Sequence, residues 1–310
     1  MSAPSEEARR LTVSDIGRLY ADGERIAMLT AYDFPTARIL DDAGIPMILV
    51  GDSLGQVALG YESTVRVTME EMLHHTRAVV RGTQRALVIG DMPFLSYPTI
   101  EEATENAGRF LQDGGAQAVK VEGGVRSARV VEALVKSGVP VMGHIGWTPQ
   151  SQHGMGGKVK VQGKTRDAAR AMLSDAVAIQ EAGAFSIVLE LVPEQLAAVI
   201  TSRLRIPTIG IGAGPACSGQ VQVITDLLGL GTFKPKHARP YADLEGTVAE
   251  ATRTWLADVK AGTFPGPAET VRMEDSILDD ALGRHADDRP SGSEARDRSS
   301  PAMIPLDRDL

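Results

Sequence analysis

Eight short aliphatic runs recur along the chain, with helical patterns between several of them. The runs are Ile26–Asp33, Met47–Asp52, Leu87–Asp91, Ala118–Glu122, Val139–Ile145, Ser186–Leu191, Thr208–Ile211 and Val221–Leu227. They are rich in Val, Ile and Leu without strict polar alternation, as strands covered on both faces should be. The last is the weakest, because its ITDLLG stretch suits a helix equally well. Thr68 with Glu71 forms the sequence pattern of a capping box, and the helix it opens stops at Gly82. Thr99 with Glu102 repeats the device, and that helix stops at Gly114 and Gly115. Further helical patterns run from about Arg126 to Gly138 and from Arg166 to Gly183, and Pro193 suits a first helical position. Segments repeat in form: DGGAQAVKVE (Asp113–Glu122) matches EAGAFSIVLE (Glu181–Glu190), and ILVGD (Ile48–Asp52) matches LVIGD (Leu87–Asp91). Repeated βα units with eight strands favour an α/β fold of the closed (β/α)8 TIM-barrel type over an open doubly wound sheet.

The bulk of the chain fits one such domain. Its 310 residues allow a barrel, which typically takes about 250 residues. Aromatics make up only 4 % while glycines number 32, which suits aliphatic strands and many tight turns. The formal net charge of −8 without a Lys/Arg-rich run argues against a nucleic-acid surface and against attraction to acidic membranes. One cysteine, Cys217, leaves no intrachain disulfide and fits a reducing compartment. No run reaches the roughly 20 apolar residues of a membrane span, and MSAPSEEARRL lacks a signal core. The expectation is a cytoplasmic enzyme with an N-terminal arm over 1–11, a catalytic barrel over 12–265 and a largely disordered extension over 266–310. From Gly283 to Pro301 no aliphatic side chain is larger than Ala, so that stretch cannot offset its own ordering entropy.

Four runs end in a carboxylate: Asp52, Asp91, Glu122 and Glu190. In a (β/α)8 barrel the strand C-termini all open on the active-site face, so these residues converge at one mouth. Period-two geometry puts Lys120 on the same face as Glu122. Clustered carboxylates in a partly dry mouth must either take up protons or be neutralised by a cation. An all-oxygen donor set suits Mg²⁺, which keeps waters and leaves positions for substrate oxygens. The competing reading is that some of these acids cap the helices that follow, with Asp33 and Asp91 the best candidates. His144, at the end of the fifth run, faces the mouth or its rim, and no second His or Cys stands at zinc-ligand spacing. GMGGKVKVQGKT (Gly154–Thr165) has Lys158 where the first P-loop glycine belongs. GIGAG (Gly210–Gly214) runs into Pro215 instead of a third dinucleotide glycine. Cys217 and Ser218 lack a His-plus-acid pattern, so nucleophilic catalysis has no support.

The chain resembles the ketopantoate hydroxymethyltransferase family, which opens the pantothenate pathway. The likeness is carried by MLTAYDFPTA (Met28–Ala37), VGDSLG (Val50–Gly55), GDMPFLSY (Gly90–Tyr97), VKVEGG (Val119–Gly124), GHIGWTPQS (Gly143–Ser151), KVQGKT (Lys160–Thr165), LELVP (Leu189–Pro193), IGIGAG (Ile209–Gly214) and YADL (Tyr241–Leu244). The resemblance implies a Mg²⁺-dependent transferase that adds a hydroxymethyl group from 5,10-methylenetetrahydrofolate to 3-methyl-2-oxobutanoate, assembled as a homodecamer. It implies Asp52, Asp91 and Glu122 as the metal site, direct or through water. Asp52, Ser53, Asp91 and Lys120 would contact the oxo acid, Glu190 would be the general base, and His144 would sit near the new hydroxymethyl group. The family usually reads Cys-Asp-Gly-Gln after GIGAG, whereas this chain has Ser218 in place of the acid. FKPKHARP before YADL is also untypical. Two other functions remain open at this point: another Mg²⁺-dependent 2-oxo-acid enzyme of the phosphoenolpyruvate mutase and isocitrate lyase type, and a non-catalytic binding barrel.

Overall fold

The computed structural model describes residues 9–231 and 235–283. The chain runs through α1 (Val13–Ala21), β1 (Ile26–Thr30), α2 (Phe34–Asp42), β2 (Met47–Val50), α3 (Leu54–Val57), α4 (Met69–Gly82), β3 (Leu87–Asp91) and α5 (Ile100–Gln112). It continues through β4 (Ala118–Glu122), α6 (Val125–Lys136), β5 (Val141–Gly146), α7 (Arg166–Glu181), β6 (Ser186–Glu190), α8 (Glu194–Arg203), β7 (Thr208–Ile211), β8 (Gly219–Gln222) and α9 (Ile224–Leu228). The eight strands form a closed barrel in sequence order, all parallel, with β8 returning to β1 through Ile26 opposite Gly219. The expected (β/α)8 architecture is the one observed.

Every strand feeds the barrel interior, and each of β1 to β6 also packs outward under the helices. The inward residues, among them Met28, Met47, Leu49, Leu87, Ile89, Ala118, Met142, Val188 and Ile209, fill the barrel, and Ile16 of α1 joins them. The outward residues, among them Ile48, Val50, Val88, Val119, Val121, Ile187 and Leu189, pack under the helices. This double coverage explains why the strands read as aliphatic runs without alternation. The helices begin as their sequences dictate. Thr68 and Glu71 exchange side-chain and backbone hydrogen bonds in a complete capping box, Thr99 accepts from the Glu102 amide, and Thr165 from Ala168. Asp33 accepts from the Thr36 amide, so its capping reading holds.

Two local expectations are corrected. The eighth strand is Gly219–Gln222, and most of the run read as a strand over Val221–Leu227 is the helix α9. Pro193 caps α8 from outside, with extended ψ of 136°, rather than opening it as a helical residue. Ser218, the residue that departs from the family pattern, lies at the barrel seam. Its Oγ accepts from the Thr208 amide at 3.2 Å, its own amide donates to Thr208 Oγ1 at 3.2 Å, and its carbonyl accepts from Ile26.

The chain divides into two compact units, Met1–Val248 and Ala249–Leu310. The helix α10 (Leu244–Ala261) crosses that boundary, and α11 (Asp275–Ala281) follows; neither has a buried residue. Trp255 and Phe264 of the second unit stack edge to face with ring centroids 6.3 Å apart. The extension expected to be largely disordered, 266–310, is described as far as Gly283 and holds α11 in that part; 284–310, and with it the stretch from 284 to Pro301, lies outside the described residues. No helix among the described residues is long and apolar enough to cross a membrane.

Candidate active site

The alternation that fills the barrel also delivers the polar cluster. Along β3 the inward series Leu87, Ile89 ends on Asp91. Along β4 it runs from Ala118 to Lys120 and Glu122, along β5 from Met142 to His144, and along β6 from Val188 to Glu190. Asp52 stands two residues beyond the end of β2 and closes the ring of acids. All five of Asp52, Asp91, Lys120, Glu122 and His144 are buried, at 1–4 % exposure, while the Glu190 side chain is more open at 17 %.

Lys120 Nζ stands at the centre, 2.7 Å from Asp91 Oδ1, 3.9 Å from Glu122 Oε1 and 3.2 Å from His144 Nδ1. Asp91 Oδ2 accepts from the Asp52 amide at 3.1 Å, so Asp91 does not cap a helix here; it ties the ends of β2 and β3 together. His144 Nε2 lies 3.3 Å from Glu190 Oε2, and its Nδ1 lies 3.4 Å from Glu122 Oε1. The six residues thus form one continuous chain of contacts. Ser53 adjoins it as the neighbour of Asp52, and its Oγ pairs with Tyr32 Oη at 2.9 Å.

Two residues at the heart of this network carried no individual expectation. Gln150 Nε2 donates to Asp52 Oδ2 and to the Met92 carbonyl, both at 2.9 Å. Its amide N–H donates to Glu122 Oε2 at 3.1 Å, and its Oε1 accepts from Tyr97 Oη at 2.5 Å. Both lie within motifs of the sequence, GHIGWTPQS and GDMPFLSY. A glutamine in a loop and a tyrosine beyond a strand follow no strand or helix period that would single them out.

The electrostatics are those of crowded acids. Burial pushes the carboxyls of Asp52, Asp91 and Glu122 above their ordinary range, Asp91 most clearly, and Lys120 opposes that rise in each. Burial also works against the charge of Lys120, but Asp91, Glu122 and Asp52 together hold its pKa above the usual lysine value. His144 is pushed below the ordinary histidine value, by burial first and by Lys120 second. Were all three carboxyls ionised, Lys120 alone would leave an excess of two negative charges in a dry site, and Glu122 Oε1 has no hydrogen-bond partner among the described residues. No three His, Cys, Asp or Glu side chains among the described residues form a ready-made cage for an ion. The donor set instead fits a hard cation held by few protein oxygens, with its remaining positions left to water and ligand, which is how Mg²⁺ is usually bound.

The sequence pattern described as Ketopantoate hydroxymethyltransferase matches residues 10–267 of the chain. That span takes in every residue of the cluster. The chain belongs to this family. A 3-methyl-2-oxobutanoate hydroxymethyltransferase of Chloroflexus aurantiacus is 60 % identical over 275 residues, covering 88 % of this chain and 97 % of the relative. One from Dehalococcoides mccartyi is 57 % identical over 273 residues, covering 87 % and 96 %. At this identity over nearly whole chains, the ketopantoate hydroxymethyltransferase activity, transfer of a hydroxymethyl group to 3-methyl-2-oxobutanoate, is the function of this enzyme. The solved structure of a phosphonopyruvate hydrolase in complex with oxalate and Mg²⁺ has a TM-score of 0.55 at 11 % identity, covering 88 % of this chain and 95 % of that one. That likeness is one of fold, so the phosphoenolpyruvate mutase and isocitrate lyase type is a structural neighbour of this hydroxymethyltransferase and does not set its reaction. A non-catalytic barrel is likewise set aside.

Proposed function

We propose that the buried cluster is the catalytic centre of this transferase and that it works with Mg²⁺ and with 5,10-methylenetetrahydrofolate as the one-carbon donor. The observation that carries the reading is the excess of acid around Lys120, where Glu122 Oε1 has charged neighbours but accepts no hydrogen bond from the described residues. Asp52 and Asp91 would hold the ion, with Glu122 as a third oxygen donor, direct or through water. The Mg²⁺-and-oxalate complex of the phosphonopyruvate hydrolase supports the choice of metal, since oxalate, like a 2-oxo acid, offers two adjacent oxygens. When bound, the ion supplies electron withdrawal from the carboxylate and keto oxygens of the oxo acid.

The reaction needs a proton removed from C3, beside the ketone. Glu190 takes it. His144 Nδ1 lies 3.2 Å from the Lys120 ammonium, which can only donate, and 3.4 Å from Glu122 Oε1, which can only accept; a neutral ring with its proton on Nε2 serves the closer contact, to Lys120, and presents that N–H to Glu190 at 3.3 Å. The base is thereby oriented without being protonated. Lys120 holds a fixed positive charge where negative charge develops on the keto oxygen, at no cost of reorganisation. Asp52, Asp91 and Ser53 complete the contacts to the oxo acid. The carbanion at C3 then attacks the methylene carbon of the folate, opened to its N5 iminium as N10 takes a proton; water next replaces N5 on that carbon, which supplies the hydroxyl of the hydroxymethyl group and releases tetrahydrofolate. The homodecamer and the cytoplasmic location belong to the same reading, as does a catalytic barrel spanning 12–265. The uncovered apolar side chains of α10, Trp255, Leu256 and Val259, support assembly, and sedimentation of the purified chain measures it.

The test is exchange of the C3 proton of 3-methyl-2-oxobutanoate with solvent, followed by NMR with Mg²⁺ and without folate. Glu190→Gln should slow that exchange by about 10²–10⁴-fold while oxo-acid binding persists. Exchange at the wild-type rate would remove Glu190 from the role of base.

A further inference from the structure

We infer that Gln150 is a positioning residue for the metal site and that Tyr97 holds its amide in place from the oxygen end. The inference rests on the reading of Asp52 and Glu122 as metal ligands, and it adds a layer of residues behind them. Gln150 is 4 % exposed and sits in a short 3-10 helix, Pro149–Ser151, in the loop after β5. That loop is pinned to the end of the neighbouring strand β6 by Trp147, whose amide donates to the Glu190 carbonyl at 2.8 Å. It turns at Gly146, with φ of 96°, where an added Cβ would stand 2.2 Å from the same carbonyl oxygen. Gln150 is therefore held from behind before its side chain is considered.

The orientation of the amide follows from chemistry alone. The Met92 carbonyl can only accept, so the group facing it must be the NH₂. Its second N–H then points to Asp52 Oδ2, and the amide oxygen is left to face Tyr97 Oη, which donates. Turning the amide over would set its oxygen against two acceptors, the Met92 carbonyl and Asp52 Oδ2. With the backbone N–H of the same residue on Glu122 Oε2, one glutamine holds an oxygen of each of two acids that come from different strands. Two mutually repelling carboxylates are fixed at a set separation before any ion arrives. Partners that orient metal ligands in this way typically contribute about 10–100-fold in affinity or activity.

The test uses the full-length chain and the Mn²⁺ dissociation constant, read from free Mn²⁺ by electron paramagnetic resonance without substrate, alongside the thermal midpoint of each variant. Gln150→Met, of similar length but without the amide, should weaken Mn²⁺ binding by about 10–100-fold. Tyr97→Phe should weaken it by a smaller factor with an unchanged thermal midpoint. In the Gln150→Met background Tyr97→Phe should have no further effect, because its action passes through the amide. Unchanged Mn²⁺ affinity in Gln150→Met, or two effects that multiply in the double variant, would overturn the inference. If Gln150→Met does not fold, Tyr97→Phe alone decides, by whether affinity falls while stability stays. Asp52→Ala separates the layers. If it leaves Mn²⁺ binding intact, the metal assignment fails and takes the inference with it. If Asp52→Ala abolishes binding while Gln150→Met does not weaken it, only the positioning role is lost.

Discussion

His144 shows how far a single side chain is defined by its neighbours. Its ring lies between an ammonium and a carboxylate, and burial with Lys120 pushes its pKa below the ordinary histidine value. The imidazole should therefore be neutral near neutral pH, with the proton on Nε2. Nitrogen NMR of the labelled enzyme checks this: His144 should give the neutral pattern and protonate only below about 6.5, the unperturbed value. The sign for stability follows, since a depressed histidine pKa means that folding loses free energy as pH falls below that unperturbed value. An imidazolium at neutral pH would instead repel Lys120 and disprove the proton arrangement. At this scale the sequence was informative where strand period two operates. Asp91, Lys120, Glu122, His144 and Glu190 are each two or four residues beyond an inward aliphatic on the same strand, so their convergence could be read in advance. Gln150 and Tyr97 could not, because their roles arise from a loop folding back over the ends of other strands.

The elements are set together by close approach as much as by hydrophobic period. Gly90 and Gly143 each precede a residue of the cluster and each face outward. A Cβ on Gly90 would lie 2.3 Å from Phe110 Cδ1 of α5, and one on Gly143 would lie 2.4 Å from Ile179 Cγ2 of α7. These glycines let helices rest directly on the strand backbone beside Asp91 and His144. Gly90→Ala should therefore cost about 1–3 kcal/mol through overpacking, measured by urea unfolding, and Phe110→Leu in that background should recover part of the loss. An Ala at 90 without effect on stability would mean that α5 can shift freely. The helices themselves were legible through their caps, but β8 was not. Its four residues, GQVQ, hold one aliphatic, and the strand exists because Gly219 pairs on one side with Ile26 and on the other with Ile209. The neighbouring ITDLL, equally suited to strand and helix, became α9, and tertiary pairing rather than local preference placed the strand at GQVQ.

For the whole molecule, the cluster couples folding to pH and to metal. The raised carboxyl pKa values of Asp52, Asp91 and Glu122 mean that the folded protein takes up protons there more readily than the unfolded chain. Their contribution to stability is fully present below about 4, the ordinary carboxyl value, and is lost as pH rises through the raised values. A cation that selects the ionised acids should replace what is lost. The rise in thermal midpoint on adding Mg²⁺ should accordingly be larger at about pH 8 than at about pH 5, where protons compete. Calorimetry in chelator and in Mg²⁺ checks it; an equal rise at both values would detach the acids from the ion. The closed ring has a further consequence, for the order of events during synthesis. Thr30 Oγ1 accepts from the Ile224 amide across 194 residues of chain, and β1 finds its second neighbour only in β8. A nascent polypeptide therefore carries its first strand with one bare edge until almost the whole barrel has left the ribosome, so slow closure and a need for shelter from self-association are built into this topology.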